Sequence, residues 1–479
     1  MTRRACAISL AGLLLTSLLW SAPALASETP STINGAQLSA LWASPFVFLL
    51  LSIAILPITL PQFWHDHYGK VSLFWSLAFL VPYSLLFGLS AAFVEFQHTI
   101  TQEYVPFVVL LFTLFTISGG VRVTGTLKGT PLMNTAFLCL GTFLASLMGT
   151  TGASMLLIRP LLRANEHRKY RIHTVVFFIF LVANIGGSLT PLGDPPLFLG
   201  FLKGVSFFWT TTHLYKQMLF ASASLLIIYY FMDKLQFSKE AALPPTDTGA
   251  EIEERLGIEG HVNLILLLGV VGAVLLSGFW NPGKAYQFLH VQIRLQDLAR
   301  DVIMLCLAGL SLLLTASRTR ELNGFSWEPI VEVAKLFFGI FVSMIPAIAI
   351  LKAGQNGALK DVIALVTRDG VPVNSMYFWL TGALSSFLDN APTYLVFFNT
   401  AGGDAATLMA EAPKTLAAIS CGAVFMGANS YIGNAPNFMV RSIAESQGVQ
   451  MPSFIGYMAW SLCFLIPLFI VTSLLFFVA

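Results

Sequence analysis

The sequence predicts an all-α polytopic membrane protein built as an inverted repeat, in which each half holds five membrane spans and one re-entrant hairpin. The first observation is composition: 56% of the 479 residues are hydrophobic and only 10% are charged, against about 25% charged residues in soluble domains. The second is the recurrence of apolar runs close to the roughly 20 residues that a bilayer-spanning helix needs. The third is that the order of these runs repeats along the chain.

Residues 1–26 have the pattern of a signal peptide. Arg3 and Arg4 precede an apolar stretch, and Ala24 and Ala26 have the spacing of a small-residue cleavage site. Cleavage would place the mature N-terminus, Ser27, outside the cytoplasm. The alternative is an additional uncleaved helix, because the apolar stretch is long for a signal peptide.

Ten apolar runs read as complete spans, and two of them, 172–203 and 413–444, are interrupted by Gly and Pro. Two further apolar segments are broken by polar residues, 131–162 at "MGTTGAS" and 376–399 at "FLDNAPT". The complete spans are predicted at 42–62, 72–94, 104–121, 172–203, 214–232, 261–280, 300–317, 328–351, 413–444 and 453–478.

The basic residues predict that 131–162 is a hairpin. The segment 159–171, which overlaps the end of the hairpin, is the most basic of the chain, and a basic segment at 122–128 precedes the hairpin. Both ends should therefore lie in the cytoplasm. Each arm of about 15 residues is about 22 Å long, which reaches the middle of a ~30 Å hydrocarbon core without crossing it. Counting the membrane crossings onward from this hairpin places the linker 233–260 in the cytoplasm. It also predicts that the second hairpin, 376–399, opens to the outside.

The two halves, 27–232 and 261–479, match at an offset of 240 residues. Five spans in each half is an odd number, so the second copy is inverted relative to the first. Inverted repeats with paired discontinuous helices are typical of secondary transporters, whose binding sites lie at the breaks. At this offset Gly187, Gly193, Asp194 and Pro196 fall on Gly427, Gly433, Asn434 and Pro436.

Two carboxylates occupy the predicted breaks. Asp194 lies in the first broken helix and Asp389 at the tip of the second hairpin. A carboxylate at the bilayer centre costs about 2.5–3.5 kcal/mol on insertion scales, so such residues indicate function; the alternative is a structural cap of a half-helix. Neutral oxygen-bearing residues at the same places would suit a sodium ion, although any single hydroxyl could instead form a helix–helix hydrogen bond. They are Thr150, Thr151, Ser188, Thr190, Asn390, Thr393, Asn429, Ser430 and Asn434.

The motifs "GTTGAS", "GGSLTPLGDPPLFLG", "FLDNAPTYLVFF" and "GANSYIGNAPNFM" resemble the ion transporter superfamily over about residues 42–478. This group includes NhaD-type sodium/proton antiporters, arsenite permeases and citrate and dicarboxylate carriers. The resemblance implies a scaffold of outer spans around a transport domain of hairpins and broken helices. It also implies an elevator-like movement and, as in many members, a homodimer.

The resemblance favours a sodium/proton antiporter in a bacterial inner membrane, since "LDNAPT" is similar to the antiporter branch and the Ser-Asn-Thr tips of dicarboxylate carriers are absent. Sodium and protons would share Asp194 and Asp389. The alternative is a sodium- or proton-coupled citrate or dicarboxylate symporter, with Asn429, Asn434 and Asn437 facing the anion. A channel or structural protein is a third class, but a simple bundle does not need paired broken helices. The expected partners are the lipid bilayer and a small ion, with no enzymatic activity, resident cofactor or nucleic acid.

Overall fold

The computed structural model describes residues 23–24, 33–125, 128–241, 257–368 and 371–478. These residues are predominantly helical, and the predicted all-α polytopic architecture is confirmed. Nine helices within the described ranges are long and apolar enough to cross a membrane. The signal peptide predicted over 1–26 lies outside the described residues apart from Pro23–Ala24.

Six long helical segments form what we call the outer group. They pack side by side, with Glu328–Lys352 against Pro61–Phe87 and Leu295–Leu314 against both Val105–Ser118 and Val262–Phe279. A π-helical turn at Ile100–Tyr104 joins Leu89–Thr99 to Val105–Ser118, and the two helices are counted as one segment. The outer group comprises Ser44–Thr59, Pro61–Phe87, Leu89–Thr99 with Val105–Ser118, Val262–Phe279, Leu295–Leu314 and Glu328–Lys352.

The hairpins and broken helices form what we call the core group, together with the long helices Phe207–Ala241 and Phe454–Phe476. The core group holds the most enclosed span, since 89% of Ile172–Leu189 is buried against 22–56% of the other eight spans. The hairpins are Pro131–Met148 with Thr150–Ala164, and Asn374–Phe387 with Asn390–Thr400. The broken helices are Ile172–Leu181, Ile185–Leu189 and Pro195–Leu202, and Pro413–Met426, Gly427–Asn429 and Ala435–Ser446.

The remaining elements are short and lie between these helices. The short helices are Gly35–Gln37, Ala40–Ala43, Ser317–Leu322, Gly354–Asn356, Lys360–Val366 and Ala405–Ala410. The strands are Pro23–Ala24, Arg122–Thr124, Gly257–Glu259, Ala285–Phe288, Val291–Arg294, Thr367–Arg368 and Val371–Pro372, all paired antiparallel.

The first hairpin turns at Gly149, whose φ of +81° is readily adopted only by glycine. At its open end, Asn134 and Asn165 exchange side-chain hydrogen bonds of 2.8 and 2.9 Å. Since one asparagine begins the first arm and the other follows the second, the two arms run antiparallel and end on the same side. This is the arrangement that the basic residues predict for 131–162.

The two halves repeat at the level of individual atoms. Thr190 of the first broken helix donates a 2.5 Å hydrogen bond to the carbonyl of Ser146 in the first hairpin. Ser430, which is 240 residues further along, donates a 2.5 Å bond to the carbonyl of Ser386 in the second hairpin. The same offset therefore relates the contacts that join each broken helix to its own hairpin, which supports the internal repeat.

Two predicted boundaries differ from the structure. The segment predicted as one span, 72–94, falls on two helices, because Gly88 with a φ of +96° separates Pro61–Phe87 from the next helix. The predicted linker, 233–260, begins as a continuation of the helix Phe207–Ala241. Its first residue, Asp233, is fully buried and forms ion pairs inside the protein. From the sequence alone, a charged residue that forms buried ion pairs looks the same as a charged residue in an exposed loop.

The inverted orientation makes a prediction that cysteine labelling can check. Glu166 lies exposed beyond the first hairpin and Glu411 lies exposed between the second hairpin and the second broken helix. In a cysteine-free background, Glu166→Cys is expected to react with an impermeant maleimide only from the cytoplasmic side and Glu411→Cys only from the outside. Labelling of both cysteines from the same side would contradict the inverted repeat.

Candidate functional site

Four helix N-termini meet in the core group, two from hairpin tips and two from broken helices. Each helix N-terminus carries a partial positive charge, so their meeting point favours a negative group. The sequence produces this arrangement because Gly or Pro interrupts each helix where the bilayer centre is expected. The residues immediately before the four helices are Gly149, Asp194, Asp389 and Asn434.

Asp194 is the negative group at this point, and its side chain is almost completely buried, with 2% of the residue exposed. Its Oδ1 accepts hydrogen bonds from the Thr150 hydroxyl at 2.9 Å and the Asn434 amide at 3.1 Å. Its Oδ2 accepts from the Asn390 amide. Three neutral donors, from both halves of the chain, thus surround one carboxylate.

The repeat relates these four residues in pairs. Asn434 is the counterpart of Asp194 at the offset of 240, and the two side chains are in direct contact. Thr150 and Asn390 are counterparts at the same offset, and both donate to Asp194. The cluster therefore lies where the two halves meet. Among its four residues only Asp194, from the first half, is an acid.

Asn184 belongs to this cluster although the sequence reasoning missed it. Its Oδ1 accepts from Asn434 at 3.3 Å, and its amide donates to Asn437 Oδ1 at 2.7 Å. Asn437 in turn donates to the carbonyls of Gly427 and Ser430, at 2.8 and 2.9 Å. The available signal was an asparagine inside the apolar run "FLVANIGG", two residues before the first glycine of the break.

Asp389 occupies a different position from Asp194. Its Oδ1 accepts from the backbone N–H of Ala391 at 3.0 Å, and its carbonyl accepts from Thr393 at 3.0 Å. It therefore caps the helix Asn390–Thr400, which is the structural alternative for such an acid. Asp389 directly precedes Asn390, whose amide donates to Asp194, so the two acids lie in the same region. The structure thus brings both predicted acids to one region but gives only Asp194 contacts with both halves.

Four other predicted residues hold the breaks in place rather than surround Asp194. Ser188 donates to the carbonyl of Ile185 at 2.8 Å, a bond within its own turn. Asn429 donates to the hydroxyl of Ser386 at 2.9 Å, and Thr190 and Ser430 form the matched bonds to the hairpins described above. For Thr190 and Ser430 the contacts agree with the helix–helix hydrogen bonds considered as the alternative.

A cleft of about 670 Å³ opens beside Asp194. It lies between the first hairpin tip, where Thr150 and Thr151 face it, and two outer helices that contribute Leu114 and Val333. Within the described part of the chain, Asp194 is the only charged residue in its wall, and no Lys, Arg or His lines it. The site therefore combines a buried acid with a mostly apolar approach.

Two buried amide oxygens near the cluster lack hydrogen-bond partners among the described residues. They are Asn390 Oδ1 and Asn429 Oδ1. Buried polar atoms are nearly always paired, so an unpaired acceptor is a place where a cation or water can bind. The described residues contain no group of three or more His, Cys, Asp and Glu side chains that could hold a transition metal. The two unpaired atoms are oxygens, which are the ligands that hard cations prefer.

Comparison with known proteins identifies the family. A family model described as "Putative citrate transport" matches residues 35–477, which includes both hairpins and both broken helices. The chain belongs to this family. This citrate-transporter-like protein is also similar to an uncharacterized transporter of Mycobacterium tuberculosis and to one of Mycobacterium bovis. Each is 24% identical over 363 residues, which cover 71% of this chain and 78% of the relative.

Membership confirms the resemblance to the ion transporter superfamily. It makes this citrate-transporter-like protein a multi-pass membrane transporter, as the nine candidate spans among the described residues also indicate. The fold places the matched motifs at the meeting point of the two halves, around Asp194.

Proposed function

We propose that this transporter is a sodium/proton antiporter of a bacterial inner membrane, in which sodium and a proton occupy Asp194 in turn. The observation that carries the proposal is the position of Asp194: a buried carboxylate at the meeting point of both halves, in a cleft whose described lining residues include no basic side chain. A citrate ion entering this cleft would bring further negative charge beside Asp194. Two unit charges 4 Å apart interact by about 4 kcal/mol at an effective dielectric constant of 20.

Competition between the two ions follows from the chemistry of the cluster. A protonated Asp194 is neutral and needs no cation, whereas an ionised Asp194 attracts sodium. An asparagine side chain offers an oxygen on one edge and an NH₂ on the other. Rotation of Asn390 or Asn434 would therefore replace a donor with an oxygen ligand, and the Thr150 hydroxyl oxygen can serve either state. Asp389 would add a second negative charge near the bound cation.

A sodium- or proton-coupled citrate or dicarboxylate symporter is the second candidate. Two observations favour it: the family description names citrate, and four helix N-termini point their positive ends at the site. In this mechanism the amides of Asn429, Asn434 and Asn437 would face the anion. Asp194 would then carry the coupling proton or sodium ion.

Reconstituted vesicles distinguish the two candidates. Purified protein in liposomes with an internal pH dye is expected to move protons when a sodium gradient is imposed, and to show no response to citrate. The control is Asp361→Asn, which removes an exposed acid on the short helix Lys360–Val366 and should leave the rate unchanged. Proton or sodium uptake that requires citrate would instead establish the symporter.

A further inference from the structure

The cleft beside Asp194 lies toward one end of the outer helices. Phe115 and Pro329 both belong to its wall. Phe115 is in the last turn of Val105–Ser118, and Pro329 is in the first turn of Glu328–Lys352. The count of membrane crossings places both of these turns on the cytoplasmic side. Asp194 is therefore approached from the cytoplasm in this structure.

At the other end of the outer helices, an ion pair joins the core group to the outer group. Lys203 directly follows the helix Pro195–Leu202, an eight-residue segment of the first broken helix that begins after Asp194. Its Nζ lies 2.5 Å from Oε1 of Glu103, in the π-helical turn of the outer group. The two side chains are only 22% and 16% exposed. One short helix thus has Asp194 at its beginning and a tie to the outer group at its end.

The other contacts of this short helix with the outer group involve aromatic rings. The guanidinium of Arg300 lies 5.9 Å from the centre of the Phe198 ring. The ring of Phe201 lies 3.6 Å from the position of a Cβ added at Gly278. Ring contacts can be exchanged for similar ones when two helices slide past each other. The ion pair at Lys203 requires two particular atoms to meet, so it can form in one relative position only.

We propose that the pair Lys203–Glu103 is an external latch. It closes the outer end of the site while Asp194 faces the cytoplasm, and it breaks when the core group moves to present Asp194 to the outside. Alternating access requires one bundle to move against the other around the site, and this pair joins the two bundles. The latch rests on the protein being a transporter, and not on which ion or anion it carries.

Loss of either partner should favour the state that faces outward. The attraction between Lys203 and Glu103 stabilises the inward-facing state alone, so its removal shifts the population away from that state. The partner left behind adds to the shift, because an unpaired charge in a poorly hydrated place destabilises the arrangement that encloses it.

A cysteine in the cleft reports which side the site faces. Ala435 follows Asn434, is exposed and lines the cleft. In a cysteine-free background, Ala435→Cys is expected to react with an impermeant methanethiosulfonate faster in inside-out than in right-side-out membrane vesicles. Adding Lys203→Gln or Glu103→Gln should raise the ratio of the outside to the cytoplasmic rate at least about threefold, a change within what a partly exposed ion pair contributes to an equilibrium.

Exchange of the two charges separates the ion pair from the other contacts of each side chain. Lys203→Glu alone places two acids together and should give the largest ratio. Lys203→Glu combined with Glu103→Lys restores opposite charges and should return the ratio to about the wild-type value. The matched control is Lys216→Gln, which removes an exposed lysine of the core helix Phe207–Ala241 and should leave the ratio unchanged. If Lys203→Gln fails to fold, Glu103→Gln provides the same comparison.

Two results would overturn the proposal. One is an unchanged ratio in Lys203→Gln, Glu103→Gln and Lys203→Glu. The other is a double exchange that differs from the wild type as much as the single variants do, because the effect would then not come from the pair. Labelling needs no gradient of sodium or citrate, so it tests the latch whichever substrate the vesicle assay supports. A failed latch would equally leave the assay of the Asp194 site valid.

Discussion

Asp194→Asn is expected to abolish sodium-driven proton movement, with an initial rate at least about a thousandfold below that of the wild type. Asparagine keeps the size of the side chain but cannot ionise or release a proton. The lost attraction between a carboxylate and a bound cation is about 4 kcal/mol at 4 Å and an effective dielectric constant of 20, and each 1.4 kcal/mol is a factor of ten in an equilibrium constant. The measurement is the pH-dye assay in proteoliposomes, with the amount of inserted protein determined in parallel.

Asp389→Asn provides the comparison within the site. Asparagine is a good N-cap, so it can replace the carboxylate that accepts from Ala391. The helix Asn390–Thr400 should therefore remain capped, and we expect a smaller reduction in rate than for Asp194→Asn. If Asp194→Asn exchanges sodium for protons at the wild-type rate, the proposal that Asp194 carries both ions is wrong. A larger loss in Asp389→Asn than in Asp194→Asn would move the ion site to the hairpin tip.

The contact between Asp194 and Asn434 permits a stricter version of this test. The double variant Asp194→Asn with Asn434→Asp moves the single acid to the matching position of the other half, next to the same partner. If the chemistry needs one carboxylate at the meeting point of the halves, part of the exchange activity should return. A double variant as inactive as Asp194→Asn, although folded, would show that the position of the acid in the first half is essential.

The breaks and hairpins could be predicted from sequence because Gly, Pro and charge punctuate an otherwise apolar chain. The offset of 240 residues is also informative, since it pairs Asp194 with Asn434 from the sequence alone. Sequence could not show that Asp194 gathers all of these side chains while Asp389 caps its own helix. Both are acids in a break, and only packing between the two halves separates their roles.

The roles of buried polar residues are what the sequence analysis chiefly failed to predict. Asn184 lies in an apolar run and has no distinctive spacing, and its role depends on Asn437, 253 residues away. Asp233 pairs with Arg168 at 2.6 Å and His173 at 2.8 Å, so the helix continues where a polar linker was predicted. Such long-range partners are set by the fold. They leave no local pattern that a single sequence could reveal.

The close approach of Gly187 and Gly193 is the tightest feature of the first break, and it leads to the second large prediction. A Cβ at Gly193 would lie 2.1 Å from the carbonyl oxygen of Gly187, a backbone atom that cannot swing away as a flexible side chain could. The carbonyl of Gly193 also accepts the N–H of Thr150 at 2.8 Å, so a shift here would disturb the hairpin tip beside Asp194. Gly193→Ala is therefore expected to destabilise the protein by about 3 kcal/mol or more, at the upper end of overpacking costs.

Two further glycine variants serve as comparisons for Gly193→Ala. One lies at the matching position of the second half, and the other lies in the outer group and is the control. Gly433 is the counterpart of Gly193, and a Cβ there would lie 2.5 Å from the carbonyl oxygen of Gly427. Gly433→Ala should therefore destabilise the protein too, but less than Gly193→Ala. Gly272 lies in the outer helix Val262–Phe279 and has no atom within 4 Å of an added Cβ. Gly272→Ala should leave stability unchanged or raise it by up to about 1 kcal/mol, because alanine is the better helix former.

Thermal unfolding in detergent, followed by size-exclusion chromatography, measures all three glycine variants under the same conditions. The expected order of unfolding midpoints is Gly272→Ala at or above the wild type, then Gly433→Ala, then Gly193→Ala. A Gly193→Ala protein with the wild-type midpoint would mean that the two glycines do not approach each other as described. In that case the turn that brings Asp194 to Thr150 would have a different geometry. The glycine contact and the position of Asp194 therefore depend on the same backbone turn between Gly187 and Asp194. Stability measurements on the glycine variants test the geometry of this turn without any transport assay.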